Sequence, residues 1–503
     1  MKITWKHSII SLLSLITFGC GGGGGTDIVA GPVTGNPTGQ PSTPAPNPVP
    51  NPGTPPVLSP DGVVFFQSNA SAGGDGSANS PFNDFATALA STPAGETLFL
   101  YAGSGPIPFN GTIPGNIRIL GEGLGFTTTG FSVTAGAFPR LQGQITLADG
   151  AVVQGVQFEN PTGHGATAAN VTSLTLDSNR FTNISGDALH IERANGTLRL
   201  TNNAIVDDSL DPTDGVDVTV AGSDNLNLTF NSNTFSTPSR ANSFDNGLKL
   251  TAQGSSQLTL NAQSNTFDVQ GRGVQIQVSE TSVFNGTLTQ NTFTQTPLEG
   301  ISLTTGLATT DTAQATIVVD NNTFNQPLGP GVSLLAGGAT TNNWTVQNNT
   351  VNAGGNFGLL LVRGDSAFAR SSVSNNQISN AQQVGFQYTS GTASGGFTVP
   401  LAGEDRITVS GNQVTGSGVS SMNLNLVSQT HAALLTDNTT GGPVVMLARA
   451  TNACAGAGSN NIGGAFTINV ENGFSLIFDN RGQTTPAVSF PGAGTVTAGV
   501  CNP

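Results

Sequence analysis

Apolar and polar residues alternate with period two along most of this chain, in short runs bounded by Gly-, Asn- and Ser-rich turns. Such alternation predicts half-buried β-strands. No stretch of the repeat region holds a helical period. One tripeptide, Asn-x-apolar, punctuates the runs. It appears at Asn179-Arg180-Phe181, Asn203-Ala204-Ile205, Asn233-Thr234-Phe235, Asn265-Thr266-Phe267 and Asn291-Thr292-Phe293. It continues at Asn322-Thr323-Phe324, Asn349-Thr350-Val351, Asn376-Gln377-Ile378 and Asn412-Gln413-Val414, with a weak copy at Asn438-Thr439-Thr440. The asparagines lie 24 to 36 residues apart. Self-similarity of this kind marks stacked repeats rather than one compact core.

A second column runs beside the first: a small residue followed by apolar-x-apolar. Copies are Ala188-Leu189-His190-Ile191, Gly215-Val216-Asp217-Val218, Gly247-Leu248-Lys249-Leu250, Gly273-Val274-Gln275-Ile276 and Gly300-Ile301-Ser302-Leu303. A third strand precedes each asparagine, as in Ser173-Leu174-Thr175-Leu176. Three short strands in a repeat of about 27 residues make one coil of a parallel β-helix. Coils then stack at about the 4.8 Å strand spacing. The asparagines fall at one corner, where their side-chain amides form a ladder. Asparagine also tolerates the left-handed backbone of a tight corner, so the ladder residue itself is expected to adopt it. The Phe, Ile or Val two residues on is expected inside. The many Asn-x-Ser/Thr triplets belong to the ladder and are not read as glycosylation sites.

Near the N-terminus stand Gly74-Asp75-Gly76-Ser77, then Ser80-Pro81-Phe82-Asn83-Asp84-Phe85, then Gly95-Glu96-Thr97-Leu98-Phe99-Leu100. Ser80 is expected to cap a helix that starts at Pro81. Phe82, Phe85, Ala86 and Leu89 would share its buried face. Such a helix would cover the open first coil, where unpaired strand edges invite aggregation. With the strand and turn Ile117-Arg118-Ile119-Leu120-Gly121-Glu122-Gly123, this segment resembles the opening of the right-handed parallel β-helix superfamily. The best-known members of that superfamily are pectate-lyase-like polysaccharide enzymes. The resemblance spans roughly residues 61 to 450 and implies an all-β, right-handed solenoid.

The ends differ in composition. Lys2 and Lys6 precede the apolar run Ile9 to Phe18, which reads as a signal peptide over residues 1–19. Cys20, followed by five glycines, looks like a bacterial lipoprotein cleavage site, although Thr17 stands where Leu is usual. Residues 20–60 form a linker with eleven prolines between Pro32 and Pro60, an extended stalk. A lipid there would anchor the protein to a membrane without spanning it. The expected location is the bacterial cell envelope, at the outer membrane or cell surface, with plain secretion as the alternative. The β-helix is placed at residues 61–450 and a C-terminal cap at 451–503. Cys454 and Cys501 bracket that cap and are expected to form a disulfide in an oxidising compartment.

Charged residues make up 9% of the chain, and the formal net charge is −14. Lys249 is the one lysine beyond the signal. No basic patch exists for nucleic acid. Charge is concentrated in one place. The residue before the small one reads Asp187, Asp214, Asn246, Arg272, Glu299 down successive repeats. The outward residue within the strand reads His190, Asp217, Lys249, Gln275, Ser302. Stacking brings these into vertical contact on one sheet face.

The resemblance implies two chemistries for this face. In a lyase, Lys249 or Arg272 would be the base, with Asp187, Asp214 and Asp217 holding calcium. In a hydrolase, Asp214 with Asp217, or Asp187 with Asp214, would be the carboxylate pair. His190, Gln275 and Glu299 would contact substrate. The Asp-Asp and His-Gly clusters of polygalacturonases are not found, nor is a clear lyase signature. The plain alternative is an ion-paired, solvated sheet face. Separately, Asp207, Asp208, Asp211 and Asp214 fall within eight residues and suit calcium, or a solvated turn. Few aromatics are available for stacking on sugars, and His164 and His431 show no evident partners. The expected protein is a monomeric, membrane-anchored β-helix that binds polysaccharide or a surface protein without catalysis. It requires no cofactor, with calcium as an option. A polysaccharide lyase or hydrolase, and a structural surface protein, are the alternatives.

Overall fold

The computed structural model describes residues 62–128, 130–206, 214–237, 245–364, 366–391, 404–427, 430–449, 452–472, 474–483 and 486–501. The signal peptide, Cys20 and the linker therefore lie outside the described residues. So do Asp207, Asp208 and Asp211.

Strands with period-two burial cannot close a core alone, so each coil lays three of them against the next coil. Among the described residues the result is three parallel sheets of 17, 14 and 15 strands. The first sheet holds the strands before each asparagine, such as Gly196–Thr201 and Asn225–Asn231. The second holds the short strands after it, such as Thr234–Ser236. The third holds the small-apolar-x-apolar strands, among them Leu189–Glu192, Asp214–Val220, Asn246–Ala252 and Arg272–Val278. Register is in step from coil to coil: His190 lies opposite Asp217, Asp217 opposite Lys249, and Lys249 opposite Gln275. The expected parallel β-helix is present.

The ladder is also present. Each asparagine Nδ2 donates to Oδ1 of the next, at 2.9 to 3.2 Å, from Asn179 to Asn460. The same oxygen also accepts the backbone N–H of the preceding ladder residue, as in Asn265 N–H to Asn291 Oδ1 at 2.9 Å. One detail differs from the expectation. The left-handed residue is the one before the asparagine: Ser178, Asn202, Ser232, Ser264, Gln290, Asn321, Asn348 and Asn375 have φ between 55° and 57°. The ladder residue spends its N–H and its amide on one oxygen, so its neighbour makes the reversal.

Inside, Phe235, Phe267, Phe293 and Phe324 stack with ring centroids 4.8 to 5.0 Å apart. The stack explains the small-residue column. A Cβ at Gly273 would sit 2.3 Å from Phe293 Cδ1 and 2.7 Å from the Gly300 carbonyl oxygen. Ala188 is accommodated where Ile205 replaces the ring. Gly273→Val should therefore cost about 2–3 kcal/mol through overpacking. Denaturant melts would check this, and a loss below roughly 0.5 kcal/mol would contradict the packing account.

The N-terminal helix runs over Phe85–Ser91, starting later than expected. Asp84, not Ser80, is the cap, accepting the Thr87 N–H at 2.7 Å. The Ser80 carbonyl is instead held by the N–H groups of Asp75 and Gly76 in the preceding turn. Phe85, Ala88 and Leu89 are buried, while Ala86 faces solvent.

The stacking continues past residue 450. Strands Asn452–Gly458, Phe466–Val470, Ser475–Asn480 and Thr495–Ala498 extend the first and third sheets. Asn460-Asn461-Ile462 adds a further rung, and Asn460 donates to Gln483 Oε1 at 3.1 Å. Ala and Gly fill positions taken by larger residues elsewhere, which conceals the period in the sequence. Cys454 and Cys501 form the expected disulfide, with Cα atoms 5.5 Å apart, and Cys501 is fully buried.

One part of the interior is polar. Arg363, Tyr388, Asp405 and His431 are essentially without exposure. Arg363 Nη1 donates to Asp405 Oδ2 at 3.3 Å, and the Tyr388 hydroxyl donates to the same oxygen at 3.0 Å. Burial pushes the Asp405 carboxyl up to about 6, against the pull of Arg363. Burial, with Arg363 nearby, pushes the His431 imidazole down to about 3.

Candidate functional site

The charged face forms on the third sheet, at residues 164 to 299. Leu189, Ile191, Val216, Val218, Leu248 and Leu250 point into the core, so the residues between them point out. His190, Asp217, Lys249 and Gln275 consequently stand in one vertical column. Asp187, Asp214, Asn246 and Arg272 stand in a parallel column at the strand entrances, and Glu299 meets Arg272.

The column begins one coil earlier than the sequence reading placed it. His164 precedes Gly165-Ala166-Thr167-Ala168, a further small-apolar-x-apolar copy. Ala166 pairs with Leu189, which sets His164 against Asp187. His164 and His190 stack with ring centroids 4.9 Å apart and planes 22° from parallel.

The Asp187 carboxylate is the hub at this end. Its Oδ2 lies 2.9 Å from His190 Nδ1 and 3.4 Å from His164 Nδ1. Its Oδ1 accepts the Asp214 backbone N–H at 2.8 Å, and its own N–H donates to His164 Nδ1 at 3.0 Å. Glu192 Oε1 lies 3.5 Å from the far nitrogen of His190. The bond to Asp187 outweighs burial and lifts the His190 imidazole to about 9.

Lys249 is the hub at the centre. Its ammonium donates to Asp214 Oδ2 at 3.0 Å and to Asp217 Oδ2 at 2.9 Å. Asn246 Nδ2 donates to Asp214 Oδ1 at 2.7 Å. Burial opposes the Lys249 charge, but the two carboxylates outweigh it and hold the ammonium well above its usual range. Burial raises the Asp214 carboxyl despite the same bond. The directions agree physically: two carboxylates share one cation, so the cation is the better-satisfied partner. Arg272 Nε lies 2.7 Å from Glu299 Oε2, close but not aligned as a hydrogen bond.

The face is less solvated than sequence suggested. Asp187, Asp214 and Asp217 are 4%, 6% and 8% exposed, so these are buried carboxylates rather than a surface ion pair. Of the four aspartates considered for calcium, Asp214 alone is described, and it is committed to Lys249, Asn246 and the strand entrance. Beyond Gln275, the column passes to Ser302 and Ser333, which are buried at 6% and 1% exposure. Beside it runs a second outward column, Thr219, Thr251, Gln277 and Thr304.

The family model described as right handed beta helix region matches residues 144–317, which contain this face. No curated protein matches the chain. Among solved structures, the chain is similar to tailspike protein 3 of bacteriophage CBA120, at 11% identity and a TM-score of 0.31, covering 87% of this chain. It spans 62% of that tailspike, less than two thirds of its length. It is also similar to pectate lyase Pel9A, at 14% identity and a TM-score of 0.15, covering 88% of this chain and 78% of that one.

Proposed function

We propose that this right-handed parallel β-helix is a non-catalytic binding protein of the bacterial envelope that holds a hydroxyl-rich polysaccharide along its third sheet. The observation that carries the reading is the pair of polar columns that run from coil to coil. One reads Lys249, Gln275, and the other Thr219, Thr251, Gln277, Thr304, all of them partly exposed. A linear polymer repeats along its length, and so does this strip, at about 4.8 Å per coil. Its side chains bind by hydrogen bonds rather than by aromatic stacking.

The pairing of the two cations speaks against lyase chemistry at this face. A lyase base must take a proton from substrate, which requires an unprotonated group within reach. Lys249 is held charged between Asp214 and Asp217, and Arg272 faces Glu299. Neither is free to act as base or to neutralise a uronic carboxylate. In the same reading Cys20 carries a lipid, and residues 21–60 hold the solenoid away from the membrane.

Binding shared among many weak contacts predicts a small effect for any one. Lys249→Ala should weaken retention on the cognate polysaccharide less than tenfold in affinity electrophoresis, about 1.4 kcal/mol at most. Substituting Thr251, Gln275, Gln277 and Thr304 together by alanine should abolish retention. Full retention by the fourfold variant would place binding elsewhere and overturn the proposal.

A further inference from the structure

We propose that His164, Asp187 and His190 form a binding site for a divalent transition-metal ion of the zinc class. The inference is independent of the glycan reading and stands if that reading fails. The three residues come from two adjacent coils, and their ligand atoms all lie within 4.8 Å of one another. His190 Nδ1 and His164 Nδ1 are 2.9 and 3.4 Å from the same oxygen, Asp187 Oδ2. Two imidazoles and a carboxylate suit zinc and its neighbours. Calcium takes all-oxygen sets.

The surroundings are those of an oriented site. The Asp214 N–H holds Asp187 Oδ1 and turns Oδ2 toward both rings. Glu192 stands behind His190, 3.5 Å from Nε2, where metal-bound histidines commonly meet an orienting carboxylate. The stacked rings share one orientation, and strands in register fix their separation. Binding displaces the proton between His190 Nδ1 and Asp187 Oδ2 to solvent, and the Asp187 N–H leaves His164 Nδ1. The side chains of His164 and His190 are 40% and 27% exposed. Three protein ligands at a partly exposed position leave a coordination place for water or a ligand oxygen.

The test is a titration of the untagged, full-length chain, stripped with chelator, with Zn2+ by calorimetry and with Co2+ by visible absorption. The expected result is one ion per chain and ligand-field bands from Co2+. His164→Ala and His190→Ala should each lower affinity at least tenfold, with far-UV circular dichroism unchanged. Glu192→Gln should lower it by roughly tenfold, the lower end for an orienting partner. Lack of saturable binding, unchanged affinity in both histidine variants, or displacement of Zn2+ by equimolar Ca2+ would each overturn the proposal.

Discussion

Asn291→Leu is expected to destabilise the solenoid by about 4 kcal/mol, more than most core truncations. The Asn291 side chain accepts two bonds from Asn265, at 2.9 Å each, and donates to Ala262 O at 3.0 Å and to Asn322 Oδ1 at 2.9 Å. Leucine has similar bulk and makes none of these bonds. The Asn265 N–H, one Asn265 amide hydrogen and the Ala262 carbonyl are then left unpaired in a buried corner. Each such group costs about 1–3 kcal/mol, and partial relaxation keeps the total below the sum. Because coils contact only their neighbours, the damage should also divide one melting transition into two. Calorimetry of the variant reads both effects. A loss below about 1 kcal/mol would mean that the ladder contributes little beyond packing.

His431→Leu is expected to do the opposite. His431 is 1% exposed, and neither ring nitrogen has a hydrogen-bond partner. Asp405 Oδ2 is 3.6 Å away, too far for a bond. An apolar side chain of similar size should stabilise the fold by about 1–2 kcal/mol at pH 7. The gain should grow in acid. The imidazole sits at about 3 in the folded protein, below its ordinary value of 6.5. Its contribution is therefore intact above pH 6.5 and lost as pH falls toward 3, because the unfolded chain takes up the proton. Asp405, raised to about 6, works the other way: its carboxyl gains stability for the fold as pH falls from 6 toward its ordinary 3.8. The two oppose each other in the wild type, with Arg363 and Tyr388 packed against both. Removing His431 leaves the Asp405 effect alone. Urea midpoints at pH 7 and pH 4.5 should show a larger gap between variant and wild type at the lower pH. An equal gap at both would contradict a neutral, buried His431.

The architecture was legible because the repeat displays it many times over. Asn-x-apolar marks one corner, and small-apolar-x-apolar marks the third sheet; both columns stand in the structure as read. What escaped had local causes. The left-handed position moved one residue, since Ser178 or Gln290 carries no pattern of its own. The last coils were concealed by Ala453, Ala455 and Ala457, which keep the alternation without its bulk. His164 was within reach, because Gly165-Ala166-Thr167-Ala168 matches the column, but apolar residues as small as alanine give a weak pattern. Arg363, Tyr388, Asp405 and His431 were also placed by alternation. Each continues the inward series of its strand, as Arg363 follows Leu359 and Leu361 at steps of two. Polar identity obscured an inward position that spacing alone would have assigned. For the charged face, sequence gave the vertical neighbours. The sharing of Lys249 by two buried carboxylates depends on side-chain geometry and was not readable.

The most direct measurement is the chain length of polysaccharides incubated with the protein. A panel of neutral and acidic polymers would be followed by size-exclusion chromatography, with ultraviolet absorbance to detect the unsaturated ends a lyase leaves. A non-catalytic binding face predicts a polymer that co-elutes with the protein at undiminished length. Shortening of any polymer that is abolished by Asp214→Ala or Lys249→Ala would contradict it and make the charged face an active site.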